Sequence, residues 1–207
     1  MINELNKNGL TIELLQKLSY KSMLGLSFAR SLHSFNKDQL FEELEKVIVF
    51  YQMAEQLDEI ALDYRIKSID SCERKYHKNY PANRLEKTFN DILGFRMLVD
   101  GYDPLFELTE IDGFRLVDMK DGKANDDGYR GVHLYYQINH GYYPIEIQAN
   151  SYYDRQLNNW LHKYIYKKGY SQMVGQIMRL HYESGEIRNE QAFKEVLENV
   201  LSNCKEI

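Results

Sequence analysis

The stretch Asp126–Gln148, DDGYRGVHLYYQINHGYYPIEIQ, restricts the fold more than any other part of the chain. It holds two runs of two-residue alternation, the pattern of strands that bury one face. Over 132–138 the apolar side is Val132, Leu134, Tyr136 and Ile138, and the opposite side carries His133, Tyr135 and Gln137. Over 145–148, Ile145 and Ile147 point one way while Glu146 and Gln148 point the other. Asn139-His140-Gly141 between the runs is a turn signal, which predicts a hairpin. One face of that hairpin gathers a carboxylate, an imidazole and two amides. An ordinary solvated hairpin face satisfies the same pattern, so this face is a candidate site only in company with other residues. Just ahead of it, the Gly-containing loop 120–128 delivers Tyr129 and Arg130 beside the same sheet.

Upstream, apolar residues recur at helical spacing over 11–33 (Leu14, Leu15, Leu18, Leu24, Phe28, Leu32) and over 38–57 (Leu40, Leu44, Val47, Ile48, Tyr51). This predicts a helical pair packed on a sheet. From Glu59 the period changes to two, and Arg65 and Lys67 share one strand face. Ser68 suits the N-cap of a helix running to about Lys78. On that helix Ser71, Lys75 and Lys78 lie on one side. A strand ending in Arg-x-Lys that enters such a helix N-terminus makes a clamp for a polyphosphate. A solvated basic helix is the plainer alternative.

The run ILGFRMLV over 92–99 reads as a central strand buried on both faces. Asp91 at its entrance and Arg96 inside it then need a partner, ligand or metal, because a buried unpaired charge is costly. Either Asp91 lies ahead of the strand or Gly94 marks a bulge. A short helix over 103–108, a strand over 113–119, a helix over 151–168 ended by Gly169, and closing helices over 170–184 and 190–204 complete the order. The expected fold is α+β, a mixed, mainly antiparallel sheet of about five strands with helices packed on it. The expected organisation is a single domain, with N-terminal helices (1–58), a core (59–168) and C-terminal helices (169–207).

The formal net charge of −5 speaks against a general nucleic-acid coat protein, and no DNA partner is expected. Charge is local instead: 65–96 holds eight Lys and Arg against four acids. Two carboxylates beside that island, Asp91 and Glu146, suit Mg²⁺ with a nucleoside triphosphate. No Walker-type loop or kinase glycine loop is present. Cys72 and Cys204 have neither metal-ligand spacing nor a disulfide framework, and MINELNKNGL lacks a signal-peptide core. No stretch approaches membrane-spanning length, and a reduced cytoplasmic protein without a membrane partner is expected.

Four segments in order, RIKS (65–68), DILGFR (91–96), DDGYRGVHL (126–134) and PIEIQ (144–148), resemble the motifs of the RelA/SpoT-type synthetase domain. The resemblance spans about 59–168. It implies a nucleotidyltransferase-like fold and transfer of pyrophosphate from ATP to a ribose 3′-hydroxyl, with AMP leaving. It further implies that Arg65 and Arg96 sandwich the adenine, while Lys67, Ser71, Lys75 and Lys78 hold the triphosphate. Asp91 and Glu146 would bind Mg²⁺, with Glu146 also deprotonating the acceptor. Tyr129 would stack on the acceptor's base, His133 would lie near its phosphates, and Arg130 and Gln148 would complete the acceptor side.

Two positions depart from the family pattern. Asp127 stands where Asn is usual, and Ala149-Asn150 follows Glu-Ile-Gln where alarmone makers often place Arg. Both changes weaken a site for GDP or GTP phosphates. The segment NNWLHKYIYKK (158–168) is similar to toxic small alarmone synthetases that modify the 3′ end of tRNA. That likeness implies a tRNA acceptor, an inhibited translation machinery and an antitoxin protein. Lys17, Lys21, Arg30, Lys163, Lys167 and Lys168 are the candidate tRNA contacts. A maker of guanosine tetra- or pentaphosphate is the alternative, and a catalytically dead nucleotide-binding regulator the second.

Overall fold

A computed structural model describes residues 3–203; Cys204, the last position expected of the closing helix, lies outside the described residues. The chain divides into two compact units. The first comprises Met1–Met97, Asp103–Val117 and His133–Ala149. The second comprises Leu98–Tyr102, Asp118–Val132 and Asn150–Ile207.

In the first unit, α1 (Asn3–Lys7) and α2 (Ile12–Lys17) are followed by α3 (Lys37–Gln52). Asn36 caps α3 by accepting the Gln39 N–H, and the stripe Leu40, Leu44, Val47, Ile48 and Tyr51 is buried as its spacing predicts. The helix expected over 11–33 stops at Lys17. Beyond it the backbone makes short local turns at 27–30 and Leu32–Ser34 and otherwise bonds to distant segments. Ser22 and Phe28 donate to the carbonyls of Gly141 and His140, and Leu85 and Glu86 donate to those of Arg30 and Phe28. Buried Glu43 fixes this extended course by accepting from Ser22 Oγ (2.6 Å), Met23 N (2.7 Å) and Tyr143 Oη (3.0 Å). Leu18, Phe28 and Leu32 still reach the core, so their helical spacing was coincidental.

The strands are β1 (Asp63–Ile66), β2 (Leu93–Leu98), β3 (Phe114–Asp118), β4 (Val132–Tyr136) and β5 (Ile145–Asn150), in the spatial order β1-β2-β5-β4-β3. Between β1 and β2 run α4 (Ile69–Asn79) and α5 (Leu85–Thr88), and α6 (Asp103–Phe106) precedes β3. The α+β class and the five-stranded mixed sheet agree with expectation. The strand buried on both faces, however, is β5 in the middle of the sheet, not β2. In β2 only Leu93, Phe95 and Met97 are buried, while the Arg96 side chain is 39% exposed. Next to the edge strand β1, one face of β2 is open. Asp91 lies ahead of β2, and the β1–β2 register is continuous (Asp63 opposite Arg96, Arg65 opposite Gly94), so Gly94 marks no bulge in that pairing.

The second unit holds α7 (Tyr152–Tyr164), α8 (Gln172–Glu183) and α9 (Glu190–Asn203). Gly169, left-handed at φ 71°, ends the short turn Tyr166–Lys168 after α7. Leu157, Trp160, Leu161, Val174, Met178, Phe193 and Leu197 form this unit's own apolar core. Phe193 lies 5.6 Å from Trp160 and 5.7 Å from Tyr164, centroid to centroid. No helix among the described residues is long and apolar enough to cross a membrane. Phe193→Ala empties the centre of this cluster and is expected to cost about 3–5 kcal/mol, measured by urea unfolding followed through Trp160 fluorescence.

Candidate active site

In the first unit the site starts where β1 runs into α4. Past the end of the strand, Lys67 still donates its N–H to the Ile92 carbonyl (2.8 Å), which holds its side chain beside the start of β2. There its ammonium donates to Asp91 Oδ2. From α4, Lys75 donates to Asp91 Oδ1 (2.9 Å) and Asn90 Oδ1 (3.0 Å). One carboxylate therefore ties the end of a strand, a helix face and the entrance of a second strand. Burial pushes the Asp91 carboxyl up, but Lys75 and Lys67 together outweigh that and hold it below its ordinary value.

The rest of the expected triphosphate set is arranged differently. Ser68 occupies the N-cap of α4, but its hydroxyl donates to Ser71 Oγ (3.0 Å), which also accepts from Arg74 (2.9 Å). Ser71 is thus committed to the first turn of its own helix. Lys78 is exposed on α4, so Lys75 alone of that row reaches the carboxylate.

A polar cavity of about 80 Å³ is lined by Arg65, Asp91, Gly94, Phe95, Arg96, Glu146 and Gln148. Arg65 faces Gly94, and Arg96 lies two residues beyond, so the two guanidinium groups are diagonal neighbours on one sheet face. The backbone positions of such diagonals are about 7–8 Å apart, and both side chains line the cavity. Gly94 keeps the floor open: a Cβ there would meet Glu146 Oε2 at 3.4 Å.

Glu146 projects from β5 and is only 7% exposed. Its Oε1 accepts from Tyr135 Oη (3.1 Å) and lies 3.2 Å from His133 Nδ1, and its Oε2 accepts from Gln148 Nε2 (2.8 Å). Burial and the Asp91 charge raise its pKa, while the hydrogen bond and charge of His133 together with the hydrogen bond from Gln148 lower it further. The carboxylate therefore stays ionised near neutrality. Burial first, and then the Glu146 charge, push the Tyr135 hydroxyl far above its usual value, so the proton stays on the phenol. The Arg115 guanidinium lies over the Tyr135 ring, 4.4 Å from its centroid. Tyr135 was given no role by sequence reasoning, although its parity with His133 placed it on the right face. The Asn90 contact had no sequence signal.

Asp91 and Glu146 line the same cavity and sense each other's charge. Among the described residues no cluster of three or more His, Cys, Asp or Glu could hold a metal ion. A pair of carboxylates still fits Mg²⁺, which is usually held by one or two of them together with water and substrate phosphates.

Tyr129 and Arg130 belong to the second unit. Asp126 takes both Arg130 guanidinium nitrogens (2.7 and 2.9 Å) and caps Gly128 N, so Arg130 stabilises the loop rather than offering a free cation. Asp127 accepts from Tyr129 N (3.1 Å) and from Lys123 Nζ (2.8 Å), and the Lys123 ammonium lies 4.9 Å from the centre of the Tyr129 ring. The charge expected from Asp127 is thus offset by Lys123. Asn150 is buried and donates to the Arg130 carbonyl (2.9 Å) and Tyr129 Oη (3.4 Å), bracing the loop. Of the candidate tRNA contacts, Lys17 pairs with Glu13 (2.8 Å) and Lys163 with Glu190 (2.7 Å). Lys21, Arg30, Lys167 and Lys168 are exposed.

No protein-family model and no curated protein sequence matches the chain. Solved structures do. Small alarmone synthetase 1 from Bacillus subtilis aligns at 19% identity and TM-score 0.42, over 80% of this chain and 94% of that one. Small alarmone synthetase 2 from the same organism aligns at 19% and 0.43, over 81% and 96%. A GTP pyrophosphokinase family protein from Streptococcus pneumoniae aligns at 17% and 0.43, over 95% and 97%.

The two carboxylates make a pH test of the site. Unfolded, they take up protons at their ordinary values, 3.8 for Asp and 4.5 for Glu, whereas in the folded protein they do so at lower pH. Their stabilisation is complete above the ordinary values and is lost as pH falls through the folded ones. Asp91→Asn is expected to flatten the acid limb of the stability curve, measured by urea unfolding as a function of pH. An unaltered acid limb would mean that Lys67 and Lys75 do not hold Asp91 in solution.

Proposed function

We propose that this chain is a RelA/SpoT-type pyrophosphokinase that moves the β,γ-pyrophosphate of ATP onto a ribose 3′-hydroxyl. The observation that carries the reading is the shared cavity of Arg65, Arg96, Asp91 and Glu146, with Lys67 and Lys75 bound to the same aspartate. The diagonal arginines suit a flat base between them. Lys67 and Lys75 are the first cations that a triphosphate reaching Asp91 would meet, and they can exchange a carboxylate for phosphate oxygens. Asp91 and Glu146 would hold Mg²⁺, which when bound offsets the charge on the transferred phosphates.

In the reaction the acceptor O3′ bonds to the β-phosphorus, the bond from that phosphorus to the bridging oxygen breaks, and AMP leaves with the electron pair. Glu146 Oε1, held by Tyr135 and His133, receives the proton from O3′. A carboxylate with a depressed pKa is a weak base, so most of the rate comes from positioning and charge neutralisation.

For the acceptor, the reading is the 3′-terminal adenosine of tRNA, stacked on Tyr129, with translation inhibited in the cytoplasm and an antitoxin as partner. The segment 158–168 supports it, as does buried Asn150, which leaves no cation where alarmone makers often carry Arg. Lys123 favours the second reading, a guanosine 5′-di- or triphosphate, because it offsets Asp127 and sits over Tyr129.

The deciding experiment offers ATP labelled on its terminal phosphates to deacylated tRNA and to GDP separately. Label on tRNA that disappears when the terminal adenosine is removed is the expected result. Label on guanine nucleotide alone selects the second reading, and no AMP release with any acceptor points to a non-catalytic nucleotide binder. Glu146→Gln is expected to lower turnover by at least about 10²-fold with ATP affinity retained, measured by equilibrium dialysis beside the transfer assay. Tyr129→Ala is expected to abolish acceptor use while ATP binding stays within about twofold; equal loss of both would refute stacking.

A further inference from the structure

The second unit contains a buried arginine that neither the motifs nor the proposed chemistry uses. Arg179 of α8 is 1% exposed. Its Nε donates to the Gly128 carbonyl (2.8 Å), one Nη to Asp154 Oδ1 (2.8 Å) and the other to Asn158 Oδ1 (3.3 Å). Asp154 is itself oriented by the hydroxyls of Tyr102 and Ser151, both donating at 2.7 Å. Asn158 donates to the Arg130 carbonyl (2.7 Å), and its Oδ1 accepts from Arg130 N (3.3 Å). Tyr166 Oη donates to the Asp127 carbonyl (2.9 Å). The carbonyls of residues 127, 128 and 130 are therefore all held by α7, α8 and the turn between them, with Tyr129 at the centre of the anchored loop. The packing is equally close: a Cβ at Gly175 of α8 would fall 2.0 Å from the Asp127 carbonyl oxygen.

Burying a guanidinium and a carboxylate costs more than filling the same space with apolar side chains. A contact that only held helices together would be better made by leucine, and here the charge is directed at a backbone carbonyl beside the acceptor platform. We propose that Arg179, through Gly128, is a positioning residue that presets the Tyr129 loop for its acceptor. This rests on the reading of Tyr129 as the stacking platform.

The test measures acceptor KM, ATP KM and kcat of the full chain for wild type, Arg179→Lys, Arg179→Met combined with Asp154→Asn, and Gly175→Ala. The double variant removes both charges together. Gly175→Ala displaces the loop while leaving Arg179 in place, so it tests the inference even where position 179 does not tolerate change. A loosened platform raises acceptor KM by on the order of 10–10²-fold with ATP KM unaltered, and Arg179→Lys falls between. A merely structural role lowers the active fraction, hence kcat, with acceptor KM unchanged, and that result in the folded variants overturns the inference. If wild type transfers nothing to any acceptor, the functional reading fails instead. Hydrogen exchange at residues 128–130 then decides the clamp: selective acceleration in the variants supports it, and unaltered exchange removes it.

Discussion

The carboxylate of Asp91, held between Lys67 and Lys75, is the interaction on which the first unit's site depends. Lys67 comes from just past the end of β1, Lys75 from the middle of α4, and Asp91 from the approach to β2. Breaking such a partly buried arrangement by removing one member leaves uncompensated charge, which is far more costly than the intact pair is stabilising. The same constraint sets the chemistry. In the proposed reading, an aspartate flanked by two ammonium groups is where a metal-bound polyphosphate would take over protein contacts.

Glu146 is organised differently. It lies on the most buried strand and keeps its charge through a phenol, an imidazole and an amide rather than through lysines. Its oxygens are oriented by the protein itself, and in the proposed reading such orientation would reduce the reorganisation needed during transfer. The two carboxylates are thus held in different ways: one between two ammonium groups, the other among a phenol, an imidazole and an amide.

What could be read from the sequence was whatever depends on periodicity along a single element. The stripe of α3, the hairpin parity that put His133 and Glu146 on a polar face, the Ser68 helix start and the Gly169 stop all appear as their spacing implies. The misreadings concern what lies next to an element. The residues after Lys17 repeat like a helix yet run extended, because Glu43 and the 140–143 turn supply better partners for their backbone. The run 92–99 is as apolar as a central strand, but only sheet order shows that β5 holds the middle. At Asp127 and Asn150 the sequence showed which side chain stands there but not what each one touches. One is offset by Lys123 and the other is a buried brace, and neither partner lies at a spacing that sequence alone would single out.

The edge position of β1 has a separate consequence. An unpaired edge invites another chain to add a strand, and short length and charged side chains are the usual protection. β1 has only four residues, DYRI, and with the lysine that follows it presents Asp63, Arg65 and Lys67 in alternation. In the proposed reading, charges that serve the nucleotide site therefore also guard this sheet edge against self-association. In that reading, losing these charges would expose the edge to strand addition and disturb the nucleotide site in a single step.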